Sequence, residues 1–300
     1  MAWRGLHVSR PSRLSLDHGR LRIEQGEENA PLFFPLEDLA WIILDAHRCH
    51  LSSRLISACM EADVLIVFPD QKHMPCGITL SFHQHHAQAQ IARMQVSLSR
   101  PFRKRLWSQI VRAKIRAQGE NLFRLGKGEE KALLAMVTRV RSGDPRNVEA
   151  RAARYYWPRL FEDFRRHDES DLRNALLNYG YACVRAALSR ALAASGFIPS
   201  LGIHHDGRFN AFNLADDLIE PYRPIVDWMA RERLNIRGSG VSGEEMSLED
   251  RQVMAAILER EVAFGREKMS LLHATERTVQ SLRQAMEQGN PEMFEAPGGW

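Results

Sequence analysis

The sequence predicts an α+β protein in which a small strand-rich N-terminal domain precedes a larger helical domain. Over the first 85 residues, short runs alternate apolar and polar side chains, which is the pattern of half-buried strands. From about Gln88 onward, apolar residues recur at helical spacing almost to the C-terminus. We therefore place the domains at residues 1–87 and 88–290, and we expect residues 291–300 to form a flexible tail.

The N-terminal domain is predicted to contain a β-hairpin, further strands and one helix. Alternating residues lie on both sides of Asp17-His18-Gly19-Arg20, which has the chemistry of a tight turn, so this stretch predicts the hairpin. Ser52 or Ser53 is expected to cap a helix that runs to residue 62. The further strands are predicted at residues 31–36, 39–44, 64–68 and 77–82.

The rest of the chain predicts a series of helices. Pro101 separates the first two, and Gly196 ends the longest. Gly180 lies inside that longest helix, where glycine costs about 1 kcal/mol relative to alanine, so we expect another element to pack closely against it. The helices are predicted at residues 89–99, 104–118, 129–141, 146–164, 171–195, 224–233, 247–262 and 266–287, with a loop at 235–247.

The composition is that of a water-soluble globular protein. No apolar run approaches the roughly 18 residues that a membrane-spanning helix needs, so we expect no membrane association. Four cysteines in 300 residues do not form a disulfide framework, which agrees with a cytoplasmic location.

Positive charge is concentrated in one part of the helical domain. Between Arg93 and Arg124 the chain has nine basic residues and a single acidic one, Glu120. Such an imbalance favours a polyanionic partner, although a solvated helix face is the alternative.

Residues 201–224, LGIHHDGRFNAFNLADDLIEPYRP, contain two histidines, four carboxylates and two arginines among apolar residues. Imidazole and carboxylate are ligands for divalent cations, and guanidinium groups match phosphate oxygens. Asp217 and Glu220 have the spacing of one helix face, but Pro221 favours a break that would direct Glu220 into a cleft. An ordinary charged loop remains the alternative for this segment.

Glu149 is a candidate third carboxylate for such a site. Asn147 is predicted to cap the helix of residues 146–164, which places Glu149 in its first turn. There Glu149 has two interpretations, since it either complements the helix dipole or supplies a ligand to the segment 201–224.

Three long motifs resemble one known family. RLWSQIVRAKIRAQ (105–118), NVEARAARYYW (147–157) and the segment 176–227 are similar to the CRISPR-associated adaptation integrase/endonuclease family, in its type II-like form. The resemblance implies an N-terminal β-sandwich-like domain for dimerisation and partner contacts, followed by an all-α catalytic domain. It also implies a homodimer that works in antiviral defence with a small companion adaptation protein.

The activity implied by the resemblance is metal-dependent insertion of spacer DNA into the CRISPR array. By motif, Glu149 of NVEA, His205 of GIHH and Glu220 of DDLIE are the catalytic residues and hold Mg²⁺ or Mn²⁺. Asp217 is a secondary candidate ligand, and His204 is interpreted as non-ligating.

Double-stranded DNA, as spacer precursor and as array, is the implied partner. The residues expected to contact its backbone are Arg103, Lys104, Arg105, Arg112, Lys114, Arg116, Arg146 and Arg223. Two alternatives stay open, namely a stand-alone metal-dependent nuclease on branched DNA and a non-catalytic DNA-binding scaffold.

Overall fold

The computed structural model describes residues 4–26, 29–80, 85–238 and 244–300, and the chain forms two compact units, residues 1–84 and 85–300. The first unit is rich in strands and the second in helices, so the predicted α+β fold class is confirmed.

The N-terminal unit consists of two four-stranded sheets and one helix. One sheet has the order β1-β5-β7-β8 and the other β4-β3-β2-β6. Leucines and isoleucines from both sheets and from the helix form one core, which includes Leu14, Ile42 and Leu55. The strands are β1 Arg4–His7, β2 Ser12–Asp17, β3 Arg20–Glu24, β4 Leu32–Pro35, β5 Leu39–Ile43, β6 Cys49–Leu51, β7 Leu65–Pro69 and β8 Pro75–Ile78, and the helix is α1 Ser53–Glu61.

The predicted hairpin and helix cap of this unit are confirmed. Strands β2 and β3 pair antiparallel and are joined by His18 and Gly19, both with positive φ, as a tight hairpin turn requires. Ser52 accepts a hydrogen bond from the Leu55 amide and caps α1. The predicted strand at 77–82 extends into residues 81–84, which lie outside the described residues.

The helical unit is built around the 23-residue helix α6, most of whose side chains are buried. A Cβ atom at Gly180 of α6 would lie 2.5 Å from Val226 Cγ1 of α8, so the close packing expected at this glycine is confirmed. The helices are α2 Gln88–Ser97, α3 Arg100–Arg124, α4 Glu130–Val137, α5 Val148–Leu160, α6 Leu172–Ala194, α7 Asn213–Leu218, α8 Arg223–Arg237, α9 Leu248–Ala255 and α10 Leu271–Glu287.

A short hairpin replaces helix at two predicted positions in this unit. Strands β9 Glu261–Phe264 and β10 Glu267–Ser270 pair antiparallel around Gly265, which has positive φ. Burial alternates along β9, so the local period is two and not the helical 3.6. The helical unit is therefore not strictly all-α.

The C-terminal residues 291–300, predicted to be a flexible tail, lie against the helical unit. They begin with a single turn of 3₁₀ helix at Pro291–Met293. Gly298 pairs with Ala263 of β9, and Arg124 of α3 donates a hydrogen bond to the Trp300 carbonyl oxygen.

Within the part of the chain that the structure describes, no helix combines the length and the apolar character needed to cross a membrane.

Candidate active site

A cavity of about 420 Å³ in the helical unit collects the residues that the sequence singled out. Glu149, His205 and Glu220 all line it, although they come from three separate segments of the chain. Lys114 and Arg223 line the same cavity. The cavity is therefore both acidic and basic, which is the character that a phosphate-handling metal site requires.

Glu149 is placed by the N-terminus of α5. Asn147 adopts a left-handed conformation and accepts a hydrogen bond from the Ala150 amide, which confirms it as the cap. Asp144 adds a second cap that the sequence reading missed, because its carboxylate accepts from the amides of both Val148 and Glu149 at 2.9 Å. The two caps therefore fix the backbone of Glu149 in the first turn of α5.

Glu220 lies in the turn between α7 and α8, which agrees with the backbone break predicted from Pro221. Its carboxylate is almost fully buried and accepts a hydrogen bond from Arg223 Nε at 2.7 Å. Burial raises the pKa of Glu220, but the charges and hydrogen bonds of Lys114 and Arg223 outweigh burial and hold the pKa at about 2. Glu220 is therefore anionic despite being buried.

Lys114 joins the two glutamates. Its ammonium group lies 2.6 Å from Glu149 Oε1 and also donates a hydrogen bond to Glu220 Oε2. Burial lowers the pKa of Lys114, but the two carboxylates outweigh burial and raise the pKa above its usual value. Lys114 was predicted to contact the DNA backbone; here its ammonium group lies in the cavity, bonded to the two glutamates, and the DNA contact stays a prediction.

His205 is oriented by Asp217. The imidazole Nδ1 lies 2.7 Å from Asp217 Oδ1, so Nε2 is the nitrogen left for a ligand. The hydrogen bond to Asp217 raises the pKa of His205, burial opposes it, and the nearby carboxylates add to the rise.

Asp217 does not have the position of a secondary ligand. It is fully buried, and its two oxygens accept from the backbone amides of Ile203, His204 and His205 as well as from the His205 ring. Its carboxylate therefore positions the histidine loop and its imidazole, as carboxylates behind metal-binding histidines do.

His204 stacks flat on the buried Trp107, with ring centroids 4.1 Å apart. Trp107 also meets His205 edge-on at 5.9 Å. His204 also lines the cavity, and its interpretation as non-ligating stays a prediction.

Within residues 4–26, 29–80, 85–238 and 244–300, no three side chains of His, Cys, Asp or Glu are already gathered around one point as a metal site. The cation between Glu149 and Glu220 is the Lys114 ammonium group, and His205 lines the same cavity. Two carboxylates that share one cation, beside an imidazole with a fixed Nδ1, have the donor chemistry of a divalent site. The residues present therefore fit a metal ion, provided that the Lys114 ammonium moves from between the carboxylates.

The basic residues predicted to contact DNA differ in how far they are exposed and in what they bind. Lys104, Arg105, Arg116 and Arg146 are exposed and free to meet a polyanion in solution. Arg112 instead donates to the Val140 carbonyl oxygen. Arg103 is half-buried, and Lys114 and Arg223 both pair with Glu220 inside the cavity.

A second buried carboxylate, Asp227 of α8, also lines the cavity, and sequence reasoning missed it. It accepts hydrogen bonds from the hydroxyls of Tyr156 and Tyr181. Burial raises the pKa of Asp227 to about 7, although the two tyrosine hydrogen bonds and the Arg223 charge oppose that rise. The feature of the sequence that could have indicated Asp227 is an acidic residue among the apolar residues on the buried face of α8.

The fold and the cavity define a class of protein, in which a β-rich unit precedes a helical unit with a carboxylate, histidine and arginine site. The sequence profile of the family described as "CRISPR associated protein Cas1" matches residues 6–239. The chain therefore belongs to the Cas1 family.

Individual relatives agree with this assignment. The chain is 35% identical over 299 residues to the CRISPR-associated endonuclease Cas1 of Neisseria meningitidis serogroup C, covering 99% of this chain and 96% of that protein.

Two solved structures share the fold. One is a casposase bound to integration product, with TM-score 0.74 and 17% identity, covering 97% of this chain and 92% of the casposase. The other is from a Cas6-RT-Cas1–Cas2 complex, with TM-score 0.75 and 20% identity, covering 98% of this chain but 36% of the longer fused chain.

Proposed function

We propose that this chain is a metal-dependent DNA integrase and endonuclease of CRISPR adaptation, which inserts spacer DNA into a CRISPR array. A 3′-hydroxyl oxygen of the incoming DNA attacks the phosphorus of a target phosphodiester. The new P–O bond joins the strands and the attacking hydroxyl gives up its proton, while the old P–O3′ bond breaks and the departing 3′ oxygen takes up a proton. Water in place of the hydroxyl gives cleavage, so one site accounts for both activities.

The observation that carries this proposal is the meeting of Glu149 and Glu220 at a single cation, beside His205, in one cavity. The two glutamates are far apart in the sequence, and both stand in the motifs of the family to which the chain belongs. Two buried or half-buried anions are costly to place together unless a cation compensates them, and here the cation is the Lys114 ammonium group. We propose that a divalent ion takes this place when the ammonium group moves away.

Glu149, His205 and Glu220 are the proposed ligands, for Mg²⁺ or Mn²⁺. A divalent ion bound there supplies Lewis-acid polarisation of a phosphate oxygen. Asp217 keeps His205 Nδ1 engaged, so the neutral ring presents Nε2. An imidazole in the ligand set favours Mn²⁺ over Mg²⁺.

Arg223 and Lys114 are the residues that meet the substrate charge. Both are cationic and both contact Glu220, so they lie where a phosphate would approach the carboxylates. Their positive charge stabilises the additional negative charge that develops on phosphate oxygens during displacement.

The proposed partners are double-stranded DNA, a second copy of this chain and a small companion adaptation protein. Exposed Lys104, Arg105 and Arg116 of α3 and Arg146 are proposed to contact DNA backbone, which gives affinity without sequence choice. The fold is shared with chains named for a Cas1–Cas2 complex and for an integration product, which supports DNA and a Cas2-type companion. We assign dimer and companion contacts to the N-terminal unit.

We place the protein in the cytoplasm, where the array is. Its four cysteines are unpaired, as in proteins of a reducing compartment.

A strand-transfer assay tests the proposal. The protein and its companion are incubated with labelled spacer DNA and a supercoiled plasmid that carries a CRISPR array, with Mn²⁺ or Mg²⁺. We expect label joined to the plasmid, and we expect Glu149→Gln to reduce joining at least about a thousandfold, or about 4 kcal/mol in the barrier, with DNA binding unchanged. Exposed Glu162→Gln is the matched control and should join normally.

Product analysis separates the alternatives. Cut strands without joined strands would support the stand-alone nuclease. Binding without either product would support the scaffold. Undiminished joining by Glu149→Gln would overturn the assigned site while leaving the family unaffected.

A further inference from the structure

The ammonium group of Lys114 lies where the two proposed carboxylate ligands meet. It is 2.6 Å from Glu149 Oε1 and donates to Glu220 Oε2, while Glu220 Oε1 accepts from Arg223. These four side chains carry two negative and two positive charges, so their charges balance as they stand. A divalent cation bound to the same two glutamates therefore adds two uncompensated positive charges, unless a side chain withdraws or a further anion arrives.

Lys114 is the cation of this cluster that is able to withdraw. Its helix is held by buried apolar residues on either side of it, such as Val111 and Ile115, so its backbone is fixed. Its side chain, however, carries a compact charge on a flexible four-carbon stem. Arg223 is held in a second way, because its guanidinium group lies 4.6 Å from the centroid of the Tyr181 ring. The cavity of about 420 Å³ gives the ammonium group room to turn.

A displaced Lys114 ammonium group needs a new anionic partner, since a buried charge without one is costly. In the described part of the chain, the remaining carboxyl group of the cavity lining is Asp227. Both of its oxygens already accept from tyrosine hydroxyls, and burial raises its pKa to about 7, so Asp227 is a weak partner near neutral pH. A DNA phosphate is a full anion at that pH and a strong acceptor for an ammonium group.

We propose that Lys114 couples metal binding to DNA binding. It bridges Glu149 and Glu220 in the free protein, and it passes to a DNA phosphate when a divalent cation takes its place between the glutamates. This inference rests on the proposed function, because it requires one site that binds both a metal ion and DNA. By linkage, DNA strengthens metal binding by the same factor by which the metal ion strengthens DNA binding. The site is therefore loaded with metal mainly when DNA is bound.

The test measures Mn²⁺ binding to the full chain, with and without DNA, from the electron paramagnetic resonance signal of free Mn²⁺. The DNA probe is a duplex whose 3′ ends lack the hydroxyl group, so it binds without being joined, and its own Mn²⁺ binding is measured separately. Lys114→Met and Lys114→Gln both remove the charge. Lys114→Gln keeps N–H donors for the glutamates, which guards against loss of folding. Lys114→Arg keeps the charge, and Lys131→Met, at an exposed residue of α4, is the matched control.

Without DNA, we expect both charge-free variants to bind Mn²⁺ about tenfold more tightly than the unaltered protein, because no ammonium group competes for the carboxylates. DNA should tighten Mn²⁺ binding of the unaltered protein about tenfold more than it tightens binding by these variants. Direct contact between the metal ion and a phosphate is common to all of them and cancels in this comparison. Lys131→Met should match the unaltered protein, and Lys114→Arg should bind Mn²⁺ no more tightly than it does.

Equal or weaker Mn²⁺ binding by both charge-free variants without DNA would overturn the inference, since Lys114 would then only hold the glutamates in place. An equal effect of DNA on Mn²⁺ binding by the unaltered protein and by these variants would also overturn it, since the ammonium group would then pass to Asp227 or to solvent.

Glu149→Gln separates failure of this inference from failure of the proposed function. If Glu149→Gln binds Mn²⁺ as the unaltered protein does, the proposed metal site fails. If Glu149→Gln loses Mn²⁺ binding and strand joining while the charge-free variants at position 114 bind Mn²⁺ no more tightly, this inference fails alone.

Discussion

Glu220 and Asp227 are two buried carboxylates that line one cavity, yet their charges differ. The pKa of Glu220 is lowered to about 2 and the pKa of Asp227 is raised to about 7. Burial pushes both pKa values upward, so burial does not explain the difference. Glu220 contacts two cations, Lys114 and Arg223, whereas Asp227 contacts the neutral hydroxyls of two tyrosines. The neighbouring charges decide which carboxyl is an anion near neutral pH.

The largest expected contrast is in catalysis. Glu220→Gln removes an anion that the proposed reaction needs, and we expect strand joining to fall at least about a thousandfold. Asp227→Asn removes a carboxyl that is already half-protonated near pH 7, and we expect less than about a fivefold loss. Joining rates of the two variants on one DNA substrate check this contrast, and equal losses would refute it.

Lys114→Met should give the next largest effect, now on stability. Without the ammonium group, Glu149 and Glu220 lose their shared cation, and we expect the free energy of unfolding to fall by about 3 kcal/mol without added metal. Urea denaturation measures it. We expect Mn²⁺ to return part of the loss by binding the free carboxylates.

Arg116→Met, an exposed change on the same helix, serves as the control and should alter stability little. If Lys114→Met were as stable as the unaltered protein, Lys114 would not be the compensating cation.

The pH dependence of the free energy of unfolding should show that Asp227 is protonated in the folded protein below about pH 7. The folded state holds a proton on Asp227 up to about pH 7, while the unfolded carboxyl loses it near its ordinary value of 3.8. Between these values the folded state binds more protons, so the Asp227 contribution to stability falls as pH rises. From pH 5 to 8 we expect the unaltered protein to lose about 2.5 kcal/mol relative to Asp227→Asn.

Unfolding of both proteins at several pH values checks this, with exposed Asp163→Asn as the reference variant. A pH-independent difference between the unaltered protein and Asp227→Asn would mean that Asp227 is charged throughout.

The smallest effect is expected from Tyr181→Phe. The Tyr181 hydroxyl donates to Asp227 and lowers its pKa, so its loss should move the pH midpoint of the Asp227 effect upward by about one pH unit. The ring under Arg223 stays in place. Tyr155→Phe, whose hydroxyl donates to Glu129, should leave the midpoint unchanged.

Local chemistry predicted much of the fold. The turn at His18-Gly19, the Ser52 cap and the Gly180 contact each depend on one or two residues with restricted geometry. The hairpin β9–β10 was missed because its strands are four residues each, too short for period two to be told from a helix turn.

The site was predictable in part. The motifs indicated Glu149, His205 and Glu220, and the structure brings all three to one cavity, while their role as ligands stays a prediction. The position of Lys114 inside the cavity was not predictable. A basic residue on an amphipathic helix is predicted to face solvent unless the neighbouring helices are known. The hydrogen bonds of Asp217 were not predictable either, because its oxygens accept from the amides of a loop that comes before it in the chain.

The close contact between Gly180 of α6 and Val226 of α8 affects where the residues of the candidate site lie. Helix α8 carries Arg223, Val226 and Asp227, and Val226 occupies the space that a side chain at Gly180 would take. A methyl group at position 180 would push α8 away from α6 and would displace Arg223 and Asp227 together with it. The positions of Arg223 and Asp227 relative to Glu220 therefore depend on the absence of a Cβ atom at Gly180.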